Sequence, residues 1–118
     1  MSKYIHPSAV IHEKVIIEDN VYIGPNCIIG YPAEDKSVFP ETPFSVHICE
    51  GAKITGNVTI DAGTIKNTYI GKNCFLMKGS HVGHDVQMME DVTLSCHAII
   101  EGNVVIHKGA NLGLGSMV

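Results

Sequence analysis

An aliphatic residue opens a six-residue unit sixteen times along this chain, and the fifth position of each unit is small. The leads run Ile5, Ile11, Ile17, Ile23 and Ile29, then Ile48, Ile54 and Ile60, then Ile70, Leu76, Val82, Met88, Leu94, Ile100, Ile106 and Leu112. The fifth positions are Ala9, Val15, Val21, Cys27, Ala33, Ala52, Val58, Thr64, Cys74, Ser80, Val86, Val92, Ala98, Val104, Ala110 and Ser116. A period of six marks a parallel β-helix, in which each coil buries its interior against its neighbours. The composition agrees. The chain is 45% hydrophobic, with twelve glycines for corners and no tryptophan, as a narrow prism filled with small aliphatics requires.

The array resembles that of the hexapeptide-repeat proteins. That resemblance implies an all-β fold, a left-handed parallel β-helix of about five coils with three hexads per turn, against the usual right-handed rule for parallel crossovers. Glycines, such as Gly24, Gly56, Gly71 and Gly102, or asparagines are expected at its corners. Stacking every third hexad puts the units led by Ile29, Ile60, Val82 and Ile100 in one column. Both breaks in the repeat interrupt that column: a long insertion from about Gly30 to His47, and a four-residue excess near Lys66 to Tyr69. Insertions gathered on one face of a repeat protein mark a binding face.

Charge narrows the function classes. The net charge is −4 and all eight basic residues are lysines. This excludes the basic footprint of a nucleic-acid binder and the bidentate grip of arginine on phosphate. No stretch is apolar and long enough to span a membrane, and the N-terminus lacks a signal-peptide pattern, so a cytoplasmic location is expected. The 118 residues are expected to form one β-helix domain with no C-terminal helical domain. The four cysteines lack CxxC spacing and read as reduced thiols without metal, with Cys27 and Cys74 as core filler. His6, His12, His47 and His107 are assigned to solvated faces.

His84 falls on the column from which the insertions emerge. Gly102 stands eighteen residues later, one coil on, and Asp61 aligns with Gly83 in the coil before. A histidine can act as general base, a neighbouring carboxylate can orient it, and a glycine amide can stabilise an oxyanion.

The segment Gly79–Val86 (GSHVGHDV) and the loop Ile29–Lys36 (IGYPAEDK) resemble the active-site segment and sugar-contacting loop of the UDP-N-acetylglucosamine O-acyltransferases of lipid A biosynthesis. The stretches 58–64 and 100–104 follow the same pattern. The resemblance implies that His84 is the catalytic base, Asp85 the acid that follows it, and Gly102 the donor to the oxyanion. It implies substrate contacts for Asp35, Lys36, His81, Asp61 and Asn103. No bound cofactor or metal is implied; the co-substrate is an acyl thioester of acyl carrier protein or CoA, and the acceptor a nucleotide sugar or amino sugar. The family works as a homotrimer, with its site between subunits. Apolar side chains such as Met77, Met88 and Met89 on the prism faces are expected to serve such a partner surface.

The departures all concern substrates. Asp61 and Asn103 stand where the family has histidines, Glu34 replaces a glutamine, and Lys36 follows Asp35 immediately. The N-terminal array is about two coils shorter than the family's, and the family's further coils and C-terminal helices are expected to be absent. Two further readings stay open: a sugar N- or O-acetyltransferase using acetyl-CoA, and a catalytically degenerate trimeric relative. A zinc-dependent carbonic anhydrase on the same helix needs three converging histidines at a wider spacing than His81 and His84 offer.

Overall fold

The computed structural model describes residues 2–118, which form sixteen short parallel strands, β1–β16 in chain order, arranged in three sheets. The first face stacks β1 (Tyr4–Ile5), β4 (Tyr22–Ile23), β7 (Lys53–Ile54), β10 (Phe75–Leu76), β13 (Thr93–Leu94) and β16 (Asn111–Leu112). The second stacks β2 (Val10–Ile11), β5 (Ile28–Tyr31), β8 (Thr59–Asp61), β11 (His81–Val82) and β14 (Ile99–Ile100). The third stacks β3 (Ile16–Ile17), β6 (Val46–Ile48), β9 (Thr68–Ile70), β12 (Gln87–Met88) and β15 (Val105–Ile106). This is the left-handed parallel β-helix of about five coils, and every hexad lead lies in a strand. Among the described residues no helix is long and apolar enough to cross a membrane.

The core is a column of stacked leads. Ile23, Ile54, Leu76 and Leu94 of the first face, Ile29, Ile60, Val82 and Ile100 of the second, and Ile48, Ile70 and Met88 of the third are all 0% exposed. Burying a Leu, Ile, Val or Met side chain of this kind stabilises by about 1.5–3 kcal/mol relative to leaving it in water. Met88 is therefore core, whereas Met77 and Met89 are half-buried; the apolar surface lies instead on Tyr4, Val10, Ile16, Tyr22 and Val105.

Two of the fifth positions expected from the repeat, Ala33 and Thr64, are taken by other residues. Ala33 and Thr64 do not fill the interior corner positions, because the chain leaves the coil at both places. Val46 and Thr68, each 0% exposed two residues before the next lead, take those positions instead. The corners are shared between glycines and asparagines as expected, although Gly24, Gly56, Gly71 and Gly102 do not themselves adopt a left-handed φ. That conformation falls to Asn20, Asn26, Asn57, Asn73, Asp85, Asp91 and Asn103, among others. Asn and Asp are the L-residues that tolerate it best.

Both insertions leave the corner between the second and third faces. The long one runs from β5 to β6 and the short one from β8 to β9. A coil later, the same corner carries residues 83–86 between β11 and β12.

Candidate active site

Asp85 turns this corner with φ 66° and is 1% exposed. Its Oδ1 accepts the backbone N–H groups of Thr64 (2.8 Å), Ile65 (2.8 Å) and Lys66 (3.1 Å). Its Oδ2 accepts the Thr64 hydroxyl at 2.7 Å and lies 2.8 Å from His84 Nδ1. Three successive amides converging on one oxygen form an anion nest, which is the physical purpose of the four-residue excess. Gly63 permits the close wrap, since a Cβ there would stand 2.9 Å from Asp85 Oδ1. Beneath it, the Asp85 N–H donates to Thr68 Oγ1 (2.9 Å), whose hydroxyl donates to the Asp61 carbonyl (2.7 Å). Burial alone would raise the Asp85 carboxyl. The Ile65 amide, the Thr64 hydroxyl, the His84 ring and the Lys66 amide outweigh it and hold the group far below the usual carboxylate range.

An ionised carboxylate only accepts, so the His84 proton belongs on Nδ1 and the Nε2 lone pair is left available. This tautomer follows from the hydrogen-bond network. One coil on, a Cβ at Gly102 would fall 2.6 Å from His84 Nε2, so only glycine lets the backbone pass this close to the ring. The Gly102 amide donates to no acceptor among the described residues. The next residue, Asn103, turns its own corner with φ 65° and donates its N–H to the His84 carbonyl at 2.9 Å, while its side chain faces solvent.

Asp61 sits beside this pair but does not orient it; Asp85 does. Strand register places Thr59 against His81 and Ile60 against Val82, so Asp61 faces Gly83 as the spacing predicts. Its Oδ2 is 3.6 Å from His81 Nε2, and His81 Nδ1 is 2.6 Å from Thr59 Oγ1. Burial, with the Glu34 charge adding to it and His84 opposing, pushes Asp61 up to about 6. Burial also lowers His81, against a smaller upward pull from Glu34. Glu34, Asp61, His81, Thr59 and Tyr31 line a cavity of about 270 Å³ between the second face and the long loop.

Asp35 lies in the long insertion between β5 and β6. Its Oδ1 accepts the Ser37 N–H (2.9 Å) and hydroxyl (2.7 Å), and these bonds lower its carboxyl. Lys36 is exposed and, with Glu34 and Phe39, borders a separate open recess of about 300 Å³. The structure thus gathers His84, Asp85, Gly102, Asp61 and His81, with Asp35 at the margin and Lys36 outside. The Thr64–Lys66 nest and Thr68 were not foreseen; only the length of the short insertion hinted at them.

A coiled prism with three short-stranded faces, a hexad lead in each strand and a histidine–carboxylate pair at an inserted corner defines a hexapeptide-repeat β-helix protein. The chain belongs to the bacterial transferase hexapeptide (six repeats) family, whose model matches residues 4–31 and 67–102. An acyl-[acyl-carrier-protein]–UDP-N-acetylglucosamine O-acyltransferase from Sinorhizobium fredii is 34% identical over 74 residues, covering 60% of this chain and 27% of that protein. Its counterpart from Campylobacter concisus is 36% identical over 89 residues, covering 73% of this chain and 34% of that protein. The chain therefore spans about a third or less of these curated relatives. The crystal structure of a UDP-N-acetylglucosamine acyltransferase from Bacteroides fragilis shares the fold, with a TM-score of 0.54 at 24% identity, covering 94% of this chain and 65% of that one.

Proposed function

We propose that this chain is an acyltransferase that moves an acyl group from a thioester to a hydroxyl of a nucleotide sugar such as UDP-N-acetylglucosamine. The observation that carries the reading is the 2.8 Å His84–Asp85 pair, whose carboxylate is held ionised by the Thr64–Lys66 nest. The acceptor hydroxyl gives its proton to His84 Nε2 as its oxygen bonds to the thioester carbonyl carbon. The Gly102 N–H donates to the resulting oxyanion. Collapse of the tetrahedral adduct breaks the carbon–sulfur bond, and the departing thiolate takes the proton back from His84. General base and oxyanion donor each contribute about 10²–10⁴-fold and 10²–10³-fold respectively.

Asp61 and His81 contact the acceptor sugar from the 270 Å³ cavity, and Asp35, Asn103 and Lys36 reach it from the adjoining edges. The acyl donor is a thioester of acyl carrier protein or CoA. The chain acts as a homotrimer, whose neighbouring prism face closes the groove beside His84. The names of the two curated relatives support the UDP-N-acetylglucosamine acceptor and the acyl carrier protein donor.

The test is acyl transfer to UDP-N-acetylglucosamine from a series of acyl carrier protein and CoA thioesters, with His84→Ala alongside. Turnover should fall by at least about 100-fold in the variant. Near-normal turnover would remove His84 from the chemistry.

A further inference from the structure

We infer that Glu18, His47 and Cys49 form a binding site for a borderline-soft divalent metal ion, with zinc the best match, at the corner where the third face turns toward the first. These residues come from successive coils. Strand pairing sets Ile16 against His47 and Ile17 against Ile48, which brings Glu18 opposite Cys49. One ligand atom from each of the three lies within 4.8 Å of the others. His47 Nε2 already stands 2.7 Å from Glu18 Oε2. Tetrahedral bonds of about 2.0–2.3 Å put ligand atoms roughly 3.3–3.6 Å apart, so a metal needs only a small opening of that pair and a small approach by the sulfur.

The donor set is the reason to name the metal. One thiolate, one imidazole and one carboxylate is a mixed S, N, O set, which suits zinc and disfavours calcium or magnesium, whose ligands are oxygens. The cluster is also held in place around the donors. The second carboxylate oxygen of Glu18 accepts the Glu50 N–H at 2.9 Å, and the His47 ring meets the Tyr69 ring edge-on at 5.6 Å. Tyr69, from the coil beyond, lies beside Cys49, where an outer partner of a metal-bound thiolate would stand. An open pocket of about 300 Å³, lined by Glu18, Asp19 and Glu50, adjoins the cluster. It supplies a route in, a local excess of negative charge over the nearby Lys72, and room for a water in the fourth position. Binding releases the Cys49 thiol proton to solvent as the sulfur–metal bond forms. The site lies at a different corner from His84 and does not depend on the acyltransferase reading.

The experiment is a cobalt(II) titration of the reduced full chain, followed by zinc displacement. One cobalt per chain should bind with tetrahedral visible bands and a near-ultraviolet thiolate-to-cobalt charge-transfer band, and zinc should abolish both. Cys49→Ser should remove the charge-transfer band, while Cys96→Ser, which alters the most exposed thiol, should keep it. His47→Gln leaves the buried thiol untouched and should weaken zinc by more than about 100-fold, beyond the 10–100-fold of an outer-shell change. The proposal is overturned by an absent charge-transfer band, by a band that survives Cys49→Ser, or by unchanged zinc affinity in His47→Gln. His84→Ala should leave metal binding intact, so failure here and failure of the acyl-transfer reading are told apart.

Discussion

Asp85→Asn separates the chemistry of the corner from its architecture. Asn has the shape of Asp, so its Oδ1 can stay in the nest formed by the amides of Thr64, Ile65 and Lys66. Its Nδ2 then takes the place of Oδ2, and the Thr64 hydroxyl can rotate to accept from it. His84 Nδ1 must accept as well, which drives the histidine proton to Nε2, the atom that should receive the substrate proton. Flipping the tautomer of a histidine–aspartate pair in this way costs about 10⁴ in kcat in the serine-protease triad, or about 5.5 kcal/mol of barrier. A fall of about 10³–10⁴ in single-turnover acyl transfer is expected here. The fold should survive it. Hydrogen bonds to a charged group contribute about 1.5–3 kcal/mol against about 0.5–1.5 for neutral ones, so four weakened nest bonds amount to about 4–6 kcal/mol. Urea unfolding should report that loss at pH 7. The loss should shrink in acid, because a depressed carboxyl contributes stability above its unfolded value of about 3.9 that disappears as pH falls through the folded value. A variant that folds and retains turnover within tenfold of the parent would refute the orientation argument.

Asp61 should show the opposite pH dependence. Its folded carboxyl is raised to about 6, so the unfolded chain binds fewer protons between about pH 4 and 6, and stability falls as pH rises through that window. Asp61→Asn should therefore be more stable than the parent at pH 7.5, by up to about 3 kcal/mol, with the gain gone at pH 4; equal denaturation midpoints at both pH values would refute it. Thr68→Val, nearly isosteric, deprives the Asp85 N–H and the Asp61 carbonyl of their partner. It should cost about 2–6 kcal/mol in urea unfolding, at about 1–3 kcal/mol per stranded group, and a cost under 0.5 kcal/mol would show the hydroxyl to be dispensable.

Periodic features were legible and loop-dependent ones were not. Each lead from Ile5 to Leu112 occupies a strand because a six-residue repeat leaves its backbone no other way to bury every sixth side chain. The same arithmetic put Gly102 one eighteen-residue coil on from His84, and Asp61 opposite Gly83 once the four-residue excess is added. It failed at Ala33 and Thr64, where the chain departs from the coil and the register restarts at Val46 and Thr68. It could not reveal that the Thr64–Lys66 amides turn inward onto Asp85, because that depends on the path of an insertion with no period. Glu18 and Cys49 were hidden for a related reason. The long insertion shifts the spacing between their coils, so His47 read as a residue on a solvated face when it is half-buried against a carboxylate.

The two insertions at one corner have opposite electrostatic effects, and that difference assigns the acids. The short one surrounds Asp85 with donors and leaves a carboxylate that cannot take a proton near neutrality. The long one brings Glu34 toward the poorly solvated Asp61 and leaves a carboxyl balanced near pH 6. Carboxyl groups whose environments drive them apart in this manner divide into a fixed charge and a group able to carry a proton. Asp61 also stands where the acyltransferase resemblance expects a histidine, whose ordinary value is about 6.5. An aspartate raised to about 6 titrates in nearly the same range, so the exchange of residue type conserves the acid–base window while reversing the charge of the deprotonating group. In its protonated form Asp61 can donate to an acceptor oxygen as a histidinium would; in its ionised form it repels an anionic donor from the cavity. On the proposed acyl-transfer function, this exchange would leave the proton chemistry at His84 in place and alter which substrates the adjoining cavity admits.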